Sequence, residues 1–392
     1  MEPILTGLAG ARLGKLLWFG FAVCCVLSMA GCTRYFKFPT LSGEPPVVIA
    51  HRGASGYMPE HTLSAYKLAI EQGADFIEPD LVSTNDGVLI ARHELNITET
   101  TNVAEHPEFA DRRTTKVIDG VSVEGWFADD FTLAEIKTLR AKQRLPFRSQ
   151  QFDDLCEIPT LEEVIELVKQ ESERSGRVIG IYPETKHPTY HRSAGLPLEK
   201  NLVKLLERHK LNHRTAPVMI QSFEAASLKA LRRMTEARLV QLIDGNGIAP
   251  DGGVIPGKPY DFTVSGDPRT YADLLTREGL AEIKTYADGI GPWKRYLVGV
   301  TGTGGVDALA NDSHKKLGHP THMVREAHNA GLFVHAWTFR NEPRYLASDY
   351  GSDPLKEYWQ FYRLGVDGVF SDFPDTAIAA RAALEKRDQV PR

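Results

Sequence analysis

The sequence predicts an α/β fold: a (β/α)₈ barrel of the TIM type, with an insertion after a β-hairpin that follows its second strand. Three observations predict it. Short runs rich in β-branched residues, bounded by Gly or Pro, alternate with helical stretches, the rhythm of a parallel sheet with crossover helices. Nine such runs occur: Val47–Ala50, Asp75–Val82, Val88–Arg92, Val178–Tyr182, Val218–Ser222, Arg238–Ile243, Ala287–Gly291, Leu332–Thr338 and Asp367–Ser371. The second and third are joined only by Ser83-Thr84-Asn85-Asp86-Gly87, too short for a crossover helix, and Asp86-Gly87 is a hairpin turn. The third run therefore folds back antiparallel, leaving eight parallel strands, the number that closes a barrel. A doubly wound open sheet has the same rhythm and stays open as the alternative.

The elements follow in chain order. Residues 1–31 read as a signal peptide: Arg12 and Lys15 precede an apolar run from Leu16 to Ala30, and Glu2 is the only acidic residue before Glu44. The run is shorter than the roughly 20 residues of a spanning helix. It ends in Ser28-Met29-Ala30-Gly31-Cys32, which resembles the lipobox of bacterial lipoproteins. That resemblance implies cleavage before Cys32, acylation of its sulfur and anchoring in the bacterial cell envelope, facing periplasm or cell surface. A plain signal peptide or an uncleaved anchor is the alternative, and either puts the body of the protein outside the cytoplasm. Residues 32–46 read as a tether, with Pro39, Pro45 and Pro46 opposing regular structure.

The barrel is expected over 47–385 and the insertion over 94–157, a polar segment with one helix at Thr132–Lys142 folding over the barrel mouth. Thr160-Leu161-Glu162-Glu163 opens a further helix with a capping box. Asn246–Asp267 is a second irregular stretch, rich in Gly and Pro.

Composition narrows the chemistry. Hydrophobic residues are 42% of the chain, ample for a large core. With 46 basic and 51 acidic residues, no basic excess points to nucleic acid, and any anion site must be built locally. On the lipoprotein reading Cys24 and Cys25 would be removed and Cys32 would carry the lipid, leaving Cys156 without a disulfide partner. Its neighbours in Asp153-Asp154-Leu155-Cys156-Glu157 disfavour a thiolate, so a structural role is expected.

Active sites of such barrels gather at the C-terminal ends of strands. Here those ends carry His51-Arg52-Gly53, Glu78-Pro79-Asp80, Glu184-Thr185-Lys186, Gln221-Ser222-Phe223, Trp337 and Asp372, and the hairpin returns to His93. Glu78 and Asp80 are two apart on a strand and share a face. Crowded carboxylates are costly without a cation or a shared proton. Glu184 can join them, and three carboxylates without Cys or His suit a hard ion, Ca²⁺ or Mg²⁺. A solvated rim carboxylate beside an Arg explains one isolated Glu-x-Asp well, but not three acids at neighbouring strand ends. His51 and His93 can supply one general base and one general acid. A chance pair is not rare among 13 histidines; Arg52 and Lys186 beside them raise the odds, since together they form a clamp for a phosphoryl group. Gly53 and Gly56 permit close backbone approach. Glu60 either orients Arg52 or complements the helix dipole. His187, His191, His213, His314, His319, His322 and His328 lack paired spacing and read as surface or structural. Thr301-Gly302-Thr303-Gly304-Gly305 lacks the Lys of a phosphate loop.

The string from His51 to Thr62, HRGASGYMPEHT, resembles the opening motif of glycerophosphodiester phosphodiesterases, closest to the periplasmic or lipoprotein type. The resemblance continues at Gly73-Ala74-Asp75 through Asp80, Ile181–Glu184, Tyr286–Pro292 and Gly368–Asp375. It implies a (β/α)₈ barrel, a bound divalent ion (usually calcium) and hydrolysis of deacylated phospholipid head groups to sn-glycerol 3-phosphate and an alcohol. By position it implies Glu78, Asp80 and Glu184 as metal ligands and His51 and His93 as the acid–base pair. It further implies Arg52 and Lys186 on the phosphate and Trp337 against the glycerol. His93-Glu94 departs from the commoner His-Asp. Two other readings share these residues: a phospholipase D of the sphingomyelinase type, and a surface lipoprotein that binds a partner through a vestigial site.

Overall fold

The computed structural model describes residues 37–301 and 311–387. Its parallel strands close into a ring. The first, Val47–His51, pairs with the second through Ile49↔Phe76 and His51↔Glu78, and with the eighth, Gly368–Ser371, through Val47↔Gly368. Pro79 splits the second strand into Phe76–Glu78 and Asp80–Ser83, and Pro183 splits the third into Gly180–Ile181 and Glu184–Thr185. Proline has no N–H for the ladder. The halves still pair in step, Phe76↔Gly180 and Asp80↔Glu184. The fourth to seventh strands are Met219–Ser222, Arg238–Ile243, Gly289–Pro292 and Phe333–Phe339, each parallel to the next. The seventh then pairs with the eighth. An open sheet would leave two edges; pairing of the first strand with the eighth rules it out.

Inside the ring, Ile49, Phe76, Tyr182, Met219, Val240 and Phe370 form one small apolar cluster. Their neighbours along the strands, such as Val48, Ala50, Ile77, Ile220, Leu239 and Val369, face outward into the main core under the helices. The alternation is that of a strand buried on both faces.

The hairpin forms as expected. Leu89–Ala91 runs antiparallel to Asp80–Ser83, and Gly87 supplies the turn at φ +80°. Arg92 N–H then donates to Asp80 O at 2.9 Å, which carries His93 back to the mouth.

The insertion differs from expectation in two ways. It is not merely a polar cover: Leu95, Ile97, Val103, Phe109, Trp126, Phe127, Phe131 and Ile136 form a core of its own, shared with Val82 and Ile90 of the hairpin. Those residues are scattered in sequence at irregular spacing, apart from the pair Trp126-Phe127, so no helical or strand period announces them. The helix expected at Thr132–Lys142 spans only Leu133–Ile136, although its capping box from Thr132 to Glu135 is present. Ala141 is instead bridged to Thr101, and its carbonyl accepts from Asp154 N–H at 3.1 Å, so tertiary pairing overrides local propensity. A two-stranded hairpin, Thr114–Ile118 with Val121–Gly125, completes the insertion. The second irregular stretch also orders, as the hairpin Gly245–Ile248 with Val254–Pro256 and the helix Tyr260–Ser265.

The signal segment and Cys32 lie outside the described residues. Residues 37–46 of the expected tether have no regular structure but lie on the barrel: Phe38 is buried, and Leu41 N–H donates to Asp367 Oδ1 at 2.6 Å beside the start of the eighth strand. Among the described residues no helix is long and apolar enough to cross a membrane.

Candidate active site

Carboxylate crowding defines the centre. Glu78 and Asp80 flank the Pro79 break, and Asp80 is in register with Glu184 on the next strand. Each offers an oxygen, and these oxygens all lie within 4.8 Å of one another. Glu78 and Asp80 are 1% exposed and Glu184 is 5% exposed. Glu78 is well partnered: Oε2 accepts from Arg52 N–H at 2.8 Å and Oε1 from Gln221 Nε2 at 2.9 Å. Asp80 Oδ2 meets His61 Nε2 at 2.9 Å and Arg52 Nε at 3.3 Å, while Asp80 Oδ1 has no hydrogen-bond partner. Glu184 Oε1 also lacks a hydrogen bond, although Lys186 Nζ is 3.1 Å away.

The electrostatics follow from this crowding. Burial and the charges of Asp80 and Glu184 push the Glu78 carboxyl well above its usual range. Burial raises Glu184 to about 8, with Lys186 opposing and Asp80 adding to the rise. Two buried oxygens that make no hydrogen bond, and two carboxyls pushed toward their neutral form by crowding, suit a cation placed among them. An all-oxygen donor set fits a hard divalent ion.

Two histidines flank the carboxylates. His51 ends the first strand, and its Nδ1 lies 2.6 Å from Asp372 Oδ1 just beyond the eighth. Burial, with the Arg52 charge adding to it, lowers His51 to about 4 despite Asp372. It is therefore neutral at pH 7, with Nδ1–H donated to Asp372 and the Nε2 lone pair free to take a proton. His93 Nδ1 lies 2.6 Å from Glu94 Oε1, and its Nε2 lies 3.2 Å from Lys186 Nζ. Glu94 thus reaches the ring despite its extra methylene. Burial, Arg52 and Lys186 depress His93 as well.

The cations point the same way. Arg52 sits at φ +62°, and its Nη1 lies 3.2 Å from each oxygen of Glu60. Glu60 therefore orients Arg52 rather than serving only the helix dipole. Glu184 when ionised, with Asp80 and Glu94, raises Lys186 in spite of its burial. Gly53 lets the loop close: at φ +83°, a Cβ there would lie 2.7 Å from the Ala65 backbone. Trp337 is half-buried, donates Nε1–H to Gly291 O at 2.7 Å and meets Phe223 edge-on at 5.8 Å. Phe223 also stacks edge-on with Tyr271 at 6.2 Å and lies under Lys186 Nζ at 5.5 Å, giving the mouth an aromatic wall.

The residues singled out in the sequence thus converge, except Cys32, which lies outside the described residues. Three partners were not assigned a role. Asp372 was legible only as a strand end, Gln221 likewise, and His61 only as a member of the string from His51 to Thr62. The helix cap itself is Thr62, whose Oγ1 accepts from Ala65 N–H at 3.1 Å. His61 is fully buried, held between Asp80 and Tyr66 Oη at 2.8 Å. Its signal was its place two residues after Pro59 in the opening motif.

Comparison with known proteins adds the context. A model of the glycerophosphoryl diester phosphodiesterase family matches residues 51–376. The glycerophosphodiester phosphodiesterase GDPD6 of Arabidopsis thaliana is 38% identical over 348 residues, spanning 85% of each chain. A glycerophosphodiester phosphodiesterase of Bacillus subtilis is 30% identical over 343 residues, spanning 86% of each. In fold, the chain is similar to an Oleispira antarctica phosphodiesterase solved with the product sn-glycerol-3-phosphate. That similarity has a TM-score of 0.54 at 21% identity and covers 87% of this chain and 98% of that one.

Proposed function

The chain belongs to the glycerophosphoryl diester phosphodiesterase family, and from that premise we propose that it hydrolyses glycerophosphodiesters to sn-glycerol 3-phosphate and an alcohol by metal-dependent acid–base catalysis. One observation carries the reading: three crowded, buried carboxylates, with Asp80 Oδ1 and Glu184 Oε1 making no hydrogen bond, lie among two histidines, an arginine and a lysine at one barrel mouth.

Glu78, Asp80 and Glu184 would hold the ion, Ca²⁺ in the first instance and Mg²⁺ as the alternative. Bound there, a divalent cation supplies positive charge against the phosphodiester. Arg52 and Lys186 bind the phosphoryl oxygens and carry part of the charge that develops on them. Each is already aligned by a carboxylate, Glu60 and Glu184, so little ordering is left for the substrate to impose. His51 and His93 act as base and acid. One takes the proton of the nucleophile, water or the glycerol 2-hydroxyl; the other protonates the departing alkoxide. Asp372 and Glu94 hold the two Nδ1–H groups, so proton exchange falls to Nε2: the base accepts there, and the acid enters the step as an imidazolium and donates from there, with His93 Nε2 lying 3.2 Å from Lys186 Nζ. Trp337 packs against the glycerol.

We further propose export and lipid anchoring at Cys32, on the strength of the segment Ser28–Cys32 and the apolar run before it. The protein would then work in a bacterial envelope, facing the periplasm or the cell surface.

A coupled assay for sn-glycerol 3-phosphate tests the activity. Glycerophosphocholine should be turned over, chelator should stop the reaction and calcium should restore it. Turnover indifferent to chelator would sink the metal-dependent mechanism. Choline released from intact lipid, with none from glycerophosphocholine, would point to the phospholipase D reading.

A further inference from the structure

We propose that the insertion segment 143–148 belongs to the active site as a brace that positions His51 and Arg52 by gripping the carboxylates that hold them. The proposal rests on the hydrolytic reading above for its kinetic test, and on geometry alone for its spectroscopic one.

The first arm is Arg148. It is 8% exposed and makes three directed contacts: Nη2 to Asp372 Oδ2 at 2.6 Å, Nε to Glu342 Oε1 at 2.7 Å and Nη1 to Ser55 O at 3.1 Å. Its guanidinium also lies over the Phe373 ring at 5.6 Å. The oxygens of Asp372 are thereby divided. Oδ1 faces His51 Nδ1 at 2.6 Å, and Oδ2 is held by Arg148 and by Arg340 Nε at 2.9 Å. A carboxylate gripped at one oxygen cannot turn, so the imidazole on the other is fixed in plane and tautomer. Ser55, whose carbonyl Arg148 holds, donates its own hydroxyl to His51 O at 2.8 Å.

The second arm is Arg144, whose Nε lies 3.1 Å from Glu60 Oε2. Glu60 lies against Arg52, and despite its burial Arg52 and Arg144 keep it ionised well below the usual carboxylate range. Between the arms, Gln143 Nε2 reaches Ser55 O and Met58 O, each at 3.3 Å. Three side chains within six residues thus all reach the 51–60 loop or its supporting carboxylates.

A simple fastening between insertion and barrel does not need this arrangement. Surface ion pairs would do, without desolvating a guanidinium. Here the buried arginine is spent on the very carboxylate that orients His51. Both arginines act through another group, so they are positioning residues.

A double-mutant cycle on the full chain tests the first arm. Arg148→Met should lower kcat on glycerophosphocholine up to about 10²-fold, with KM within about threefold. Arg148→Lys should recover part of the loss. Arg148→Met combined with Asp372→Asn should be no slower than Asp372→Asn alone, because both act on His51 by one route. Arg144→Met should instead raise KM severalfold with kcat within about twofold, since Arg52 binds the phosphate. Full kcat in Arg148→Met, or independent multiplying losses in the cycle, would overturn the brace. A second readout needs no turnover. The low-field imidazole N–H proton of His51, assigned by its loss in His51→Gln, should shift or broaden in Arg148→Met, or in Arg148→Lys if the Met variant does not fold. An unchanged resonance overturns the proposal. A shifted resonance in a protein inactive on every glycerophosphodiester would leave the brace standing and sink the hydrolytic reading.

Discussion

Glu184, like Glu78, bears part of the cost of assembling the site. Its carboxyl is raised to about 8 by burial, against Lys186 and with Asp80 adding to the rise, so without metal it is largely protonated at pH 7. Replacing it by glutamine then changes the metal-free protein little, because a neutral carboxyl and a carboxamide are near isosteres. What should vanish is the response to calcium. At about 100 times Kd, a bound ion stabilises the wild type by about 2.7 kcal/mol. Glu184→Gln should show a similar metal-free Tm and little calcium-induced rise in thermal melts; a wild-type rise would remove Glu184 from the ligand set. His93→Ala makes the second residue-scale prediction. Losing one member of an acid–base pair should lower kcat on glycerophosphocholine by about 10²–10⁴-fold, and near-full activity would remove His93 from the chemistry.

Two elements carry strain or titration of their own. The loop after the first strand packs on the helix Leu63–Glu71, where Gly53 leaves no room for a side chain. Gly53→Ala pairs an unfavourable φ with a backbone clash and should destabilise by about 1–3 kcal/mol, read as a lowered urea midpoint. The insertion hairpin is tied to the barrel by His187, whose Nδ1 lies 2.7 Å from Asp119 Oδ2 and whose Nε2 lies 3.3 Å from Glu94 Oε2. Burial alone would lower His187; hydrogen bonds to Asp119 and Glu94 win and raise it to about 9. A raised histidine contributes stability fully below its unfolded value near 6.5 and loses it as pH climbs through 9. Hydrogen exchange across 114–125 should therefore speed up between pH 7 and 10, after correction for intrinsic rates. His187→Ala should speed it at pH 7 and remove the pH step. A step that survives the substitution would assign it to another group.

For the molecule as a whole, ring closure sets which way the site faces. Residues 38–41 lie beside the start of the eighth strand, where Leu41 binds Asp367, whereas Glu78 and Glu184 lie toward the C-terminal ends of their strands, near the 51–60 loop that Arg144 and Arg148 reach. The chain therefore enters the barrel on the face away from the mouth. A mouth reached by the insertion side chains Gln143, Arg144 and Arg148, on the face away from residues 38–41, suits a small diester diffusing in solution. The protein should hydrolyse glycerophosphocholine far faster than intact phosphatidylcholine in vesicles; comparable choline-containing product from both would contradict that geometry.

The sequence by itself determined the strand rhythm, the hairpin at Asp86-Gly87 and the set of polar residues at strand ends. Each is local: alternation, turn chemistry and spacing act within a few residues. That is why Glu78, Asp80, Glu184, His51 and His93 were legible before any fold was known. Tertiary structure alone decided that the sheet closes, because closure depends on register between the first and eighth strands, 321 residues apart at Val47 and Gly368. It also turned scattered apolar residues of the insertion into a core and cut its expected helix to Leu133–Ile136. And it assigned the partners of the residues at the mouth: Asp372 to His51 across 321 positions, and Arg148 to Asp372 across 224. A buried charge is satisfied by whichever counter-charge the packing brings within about 3 Å, and no local pattern records that choice.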